Sequence, residues 1–130
     1  MRKIKFRAWK SWRKPQMLYD NAFKLEWSEK NRRLEANCHW RFDASYNMPL
    51  MQFTGLKDKK GKEIYEGDIV SFEYDPNEFE KYKVSWGTAT FYAESLEDAE
   101  YNNSLWDMPR ENMEVIGNVY ENPELLKGGD

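Results

Sequence analysis

The sequence predicts a mainly β fold: one small domain with an N-terminal hairpin and one or two short helical turns. Three observations predict it. Rings dominate the apolar material, with six Trp, eight Tyr and seven Phe among 130 residues, and aromatic side chains favour pleated surfaces. Short runs alternate apolar and polar residues with a period of two. Turn-forming residues separate these runs at short intervals, most densely in Leu50 to Val70, LMQFTGLKDKKGKEIYEGDIV.

Taken in order, Lys3 to Trp9 alternates strictly and predicts a half-buried strand, with Ile4, Phe6 and Ala8 inward and Lys3, Lys5 and Arg7 outward. Ser11 to Pro15 is a polar loop carrying Trp12, and Gln16 to Tyr19 completes a hairpin. Phe23 to Asn47 is open to two readings. Leu25, Trp27 and Leu34 fit either a helix of two or three turns or a strand pair joined by a charged tip at Glu29 to Arg33. The alternation of Trp40 and Phe42 with His39 and Arg41 favours strands.

In the central stretch, Asp58-Lys59-Lys60-Gly61 predicts a reversal, since Asp bonds its own backbone and Gly accepts positive φ. Glu66-Gly67-Asp68 turns the chain again into a strand in which Val70, Phe72 and Tyr74 share a face, so the whole stretch reads as a β-meander. Asp75-Pro76-Asn77 is a turn, and Tyr82, Val84 and Trp86 mark a further strand. Gly87-Thr88 predicts a tight turn into Ala89 to Tyr92. Ser95-Leu96-Glu97-Asp98 has the form of a helix N-cap with acids in the first turn. Met113 to Tyr120 predicts a closing strand with Gly117 as a bulge or close-packing point. Asn122-Pro123 then opens one apolar helical turn. No repeat or long linker divides the chain; 1–49, 50–126 and the tail 127–130 are expected as parts of one domain.

Composition narrows the class. Mean hydropathy is -0.98 and 33% of residues are charged, yet 16% aromatic content is far from that of a disordered chain. A single cysteine, Cys38, excludes an internal disulfide and fits a reducing compartment. No apolar run reaches the roughly 18 residues that span a bilayer, so a cytoplasmic location is expected. Net charge is -3 but unevenly placed. Arg2 to Lys14 holds seven basic residues and no acid, whereas Glu94 to Asp130 holds ten acids against Arg110 and Lys127.

The residues do not assemble a known chemistry. Cys38 and His39 are the only Cys and His, and as strand neighbours they face opposite ways. Cys38 is expected as a small buried hydrophobe and His39 as a surface residue or partner of an acid. No Ser lies in a nucleophile motif, and Gly55, Gly61 and Gly67 lack the context of a phosphate loop, so they read as turns. No catalytic residue, metal or cofactor is expected, and the chain is read as non-enzymatic. Two binding classes remain. Trp12, Arg13 and Lys14, with the outward cations Arg2, Lys3, Lys5 and Arg7, combine rings for base stacking with charge for phosphates. Exposed rings such as Tyr101 and Trp106 would instead serve a protein partner or a second copy of the chain.

Three segments, KIKFRAW at Lys3 to Trp9, LMQFTGLKDKKGKEIYEGDIV at Leu50 to Val70 and EVIGNVYENPELL at Glu114 to Leu126, resemble the YopX family of phage and prophage proteins of Gram-positive bacteria. The resemblance implies a β-rich fold whose C-terminal part, from near YEGDIV, is similar to an SH3-type barrel. It carries no activity, cofactor or catalytic set. It implies an accessory role in the host cytoplasm, with a protein partner expected and nucleic acid as the alternative.

Overall fold

The computed structural model describes residues 4–19, 22–41, 44–87, 90–97 and 102–126, except the side chains of 38–41 and 44–47. The described chain is mainly β and divides into two compact units, Ile4–Gln52 and the residues from Phe53 onward.

In the first unit β1 (Phe6–Lys10) pairs antiparallel with β2 (Gln16–Tyr19), the predicted hairpin. The other edge of β1 pairs with the start of β6 (Leu50–Lys57), Arg7 opposite Met51 and Ala8 opposite Leu50. In a strand paired on both edges each side chain is flanked on its own face by a register partner from either side, for Arg7 by Tyr19 and Met51. Here that corrects the outward placement of Arg7, which is 2% exposed, while Ile4 lies before the strand at 69%. The strand-pair reading of the next segment holds: β3 (Lys24–Ser28), β4 (Arg33–Arg41) and β5 (Ala44–Met48) form a three-stranded antiparallel sheet in the order β3-β4-β5. Ala8, Ala36 and Met48 form a small core, packed by Trp12, Leu18, Phe23 and Leu50.

In the second unit, β6 continues past Phe53 to pair with β7 (Glu63–Tyr65), and the register shifts between Phe53 and Lys57. Thr54 fills this irregularity. Its buried hydroxyl donates to the Ile64 carbonyl at 2.7 Å and accepts the Leu56 amide at 3.1 Å. The expected meander stops at β7, because β8 (Asp68–Asp75) joins a different sheet. That sheet has the antiparallel order β11-β10-β9-β8-β12, with β9 Glu78–Gly87, β10 Thr90–Ser95, β11 Asn102–Ser104 and β12 Met113–Asn118. Its core includes Ile64, Val70, Tyr82, Val84, Phe91 and Met113. Gly117 follows the expected bulge against β8, and its Cα lies so close to the Asn122 side chain that a Cβ would meet Oδ1 at 2.5 Å.

Ser95 is not the helix cap its sequence suggests. It ends β10 and is buried, with its hydroxyl donating to Glu80 at 2.7 Å and accepting the Glu97 amide at 3.2 Å, and no helix follows over 95–97. The acid it reaches lies on the neighbouring strand β9, where a long-range bond prevails over the local signal. The short helical turns lie instead at Leu105–Asp107, Arg110–Asn112 and Pro123–Leu126.

One side chain ties the central turn to the closing strand. The buried Asp58 carboxylate accepts the amides of Lys60, Lys62 and Val115, each at 2.9 Å. The Asp58 amide donates to the Lys62 carbonyl at 2.8 Å, and Lys59 donates to the Met113 carbonyl at 2.9 Å. Gly61 closes the turn at φ 82°, a value that strains any side chain. Removing the carboxylate leaves three amides without their acceptor, one beside the core. Asp58→Ala is therefore expected to lower unfolding free energy by about 2–4 kcal/mol and Thr54→Val by about 1–2 kcal/mol in urea titrations. A loss at Asp58 under about 0.5 kcal/mol would mean the turn is held by other contacts.

Candidate functional site

The β3 and β4 sequences, KLEWS and RLEAN, alternate in register, with Leu25 opposite Ala36 and Trp27 opposite Leu34. Those four residues share one face of the hairpin, and Lys24, Glu26, Ser28, Arg33, Glu35 and Asn37 share the other. The polar face is bonded within itself. Asn37 donates to Glu26 at 3.2 Å, while Glu35 accepts Asn31 at 2.8 Å and Arg33 at 3.2 Å. The Ser28 hydroxyl accepts the Asn31 amide at 3.0 Å and so holds the tip.

The apolar face is in water. Only its Ala36 end is buried in the core; Leu25 is 43% exposed, Leu34 45% and Trp27 55%. Beside it runs a cleft of about 470 Å³ lined by Arg33, Leu34, Glu35, Met48, Pro49 and Leu50. A contiguous exposed apolar strand face is the usual mark of an interaction surface.

The basic N-terminal set does not come together as expected. Arg2 and Lys3 lie outside the described residues, Arg7 is buried and Lys5 is half-buried. Trp12 packs against the core, with the Lys10 ammonium 5.9 Å from its ring centroid. Arg13 and Lys14 are exposed in the β1–β2 loop, Arg13 at φ 59°. Among the expected protein-binding rings, Trp106 is 49% exposed and Tyr101 lies outside the described residues. The side chains of Cys38 and His39 also lie outside them. Among the described residues no group of three or more His, Cys, Asp or Glu is placed to hold a metal ion, and no helix is long and apolar enough to cross a membrane.

The charge imbalance follows the two units. Residues 4–52 contain ten Lys and Arg against five Asp and Glu, a net of +5, whereas residues 53–130 contain eight against eighteen, a net of -10. The acidic field is felt at the β8–β9 hairpin. Glu78 foremost, then burial and the charges of Glu80, Glu97 and Asp75, hold the exposed Tyr74 phenol above its ordinary range.

These features define a class: a small, mainly β protein with an apolar strand face open to solvent. The chain belongs to the YopX family, whose profile, described as YopX protein, matches residues 5–127. Among solved structures it is similar to protein EF1440 from Enterococcus faecalis, at 26% identity and a TM-score of 0.58, covering 97% of this chain and 99% of that one. It is also similar in fold to protein yopX from Bacillus subtilis, at 24% identity and a TM-score of 0.63, covering 93% and 96% of the two chains. No curated protein sequence matches it.

The Asn31 amide is the main cause holding the Glu35 carboxyl below its ordinary value near 4.5, with burial opposing and Arg33 and Ser28 assisting. A carboxylate held down in the folded state stabilises the hairpin above its unfolded value and loses that effect as pH falls through the lowered one. Carbon-13 NMR titration is expected to show Glu35 ionising below 4.5 in the wild type and closer to it in Asn31→Ala. An unchanged titration in that variant would remove Asn31 as the cause.

Proposed function

We propose that this protein is a phage or prophage accessory protein that acts without catalysis, by binding another protein in the host cytoplasm. The observation that carries the reading is the exposed strand face of Leu25, Trp27 and Leu34. Residues of this type are depleted from solvent-exposed strand faces unless something covers them, and rings and aliphatics of this size supply the central anchors of protein interfaces. The C-terminal sheet, read as an SH3-type barrel, is in keeping with a binding scaffold, an argument by analogy of fold.

Nucleic acid is the second reading, supported by the +5 balance of residues 4–52. The burial of Arg7 takes one of its seven proposed contacts off the surface, and Trp12 is partly buried against the core.

Affinity capture of the tagged full chain during infection or prophage induction, with crosslinking and mass spectrometry, tests the choice. The wild type is expected to retain a defined protein, and Trp27→Ser/Leu34→Ser to lose it by about tenfold or more, as for a central anchor. Retained material that is nucleic acid and is released by nuclease, or a gel shift of oligonucleotides that falls steeply with salt, would overturn the protein reading.

A further inference from the structure

The sheet β3-β4-β5 ends at β3, whose outer edge pairs with no strand among the described residues. Such an edge presents a row of backbone N–H and C=O groups to any chain that can lie beside it. Its side chains differ by face, Leu25 and Trp27 on one and Lys24, Glu26 and Ser28 on the other. Of the three carboxylates of the hairpin, Glu35 is paired with Arg33, whereas Glu26 accepts the neutral Asn37 amide and keeps its charge. Lys24, Lys30 and Arg32 make no ion pair among the described residues, and Glu26 and Glu29 stand against them, so the hairpin keeps a net charge of +1. The edge therefore combines an open ladder, an apolar face and a small excess of positive charge, on a unit of net charge +5.

We propose that β3 is the docking edge for an acidic, extended segment of a protein partner, in which apolar residues alternate with Asp or Glu. The inference rests on the protein-binding reading above and narrows it to one partner chemistry. A strand added beside β3 continues the pleat, so its alternate side chains fall next to Leu25 and Trp27 on one face and next to Lys24, Glu26 and Ser28 on the other. Charge selects the sign through the balance: Lys24, Lys30 and Arg32 outnumber Glu26 and Glu29, and the +5 of residues 4–52 attracts an acidic segment and repels a basic one. Nucleic acid shares the charge but cannot extend the backbone ladder.

The test uses the full chain and two immobilised heptapeptide libraries, one alternating Asp or Glu with Val, Ile, Leu or Phe, the other alternating Lys or Arg with the same apolar set. Capture by the acidic library is expected to fall about tenfold or more in Trp27→Ser/Leu34→Ser and in Lys24→Glu/Arg32→Glu, the loss of one central contact. It should also fall when the central apolar position is Pro, which removes a ladder donor. Capture by the basic library, which the -10 of residues 53–130 can support, should fall in none of the variants. Thermal melts and circular dichroism confirm that each variant is folded; all four positions are exposed, which makes unfolding a separable outcome.

Acidic capture that is absent, or equal in wild type and variants, overturns the inference. So does a light-scattering dimer that Trp27→Ser converts to monomer, which would assign the face to a second copy. A protein captured from infected cells independently of Trp27 overturns the docking edge while leaving the protein-binding reading standing. Capture of no protein at all overturns that reading itself.

Discussion

The second unit depends on one carboxylate. Asp58 gathers two amides of its own turn and the amide of Val115, 57 residues further on, around two oxygen atoms inside the protein. A buried carboxylate is tolerated when its lone pairs are filled, and backbone amides fill them without the entropy of ordering long side chains. The same bonds fix the end of β6, the tight turn and the start of β12 in one geometry, so the closing strand is placed by the turn as well as by its pairing with β8. On the outside, the Lys60 ammonium lies 2.7 Å from Glu114 on β12. That pair is largely open to solvent, Glu114 being half-buried, and contributes little to stability.

This explains why the most distinctive stretch of the sequence holds no reactive group. Thr54, Asp58 and Asp68 are polar residues in buried positions, and each is bonded to backbone: Thr54 to Ile64 and Leu56, Asp58 to three amides, Asp68 to the Tyr65 amide at 2.7 Å. Gly55, Gly61 and Gly67 take positive φ of 90°, 82° and 89°, as turn and bulge positions demand. The density of Gly, Asp and Lys there encodes backbone shape.

Much of the architecture was legible because it is local. Turn chemistry at Asp58 to Gly61, alternation in Tyr82 to Trp86 and Gly117 in the closing strand each act over a few residues, and the strands follow. The misreadings are long-range. Arg7 alternates like a surface cation, but it is buried, flanked by Tyr19 and Met51 from the strands on its two edges; Ser95 has a cap signature, but Glu80 on the next strand takes its hydroxyl. The bond from Val115 to Asp58 could not be seen either, since nothing near Val115 signals it. The apolar face of β3 and β4 was visible as a pattern and invisible as a site. Alternation reports which residues share a face, and says nothing of whether that face is covered.

The scaffold therefore stands on buried polar residues satisfied by backbone, while the candidate for function is an exposed face of the other unit. Hydrogen exchange followed by NMR on the full chain tests the scaffold claim at its centre, because it reads the Lys60, Lys62 and Val115 amides one by one. The account predicts that all three exchange slowly in the wild type, with Val115 near the slowest class of the second unit, and that Asp58→Ala accelerates them together. Exchange at Lys60 and Lys62 as fast as at an open loop in the wild type, with Val115 unaffected by the substitution, would contradict it.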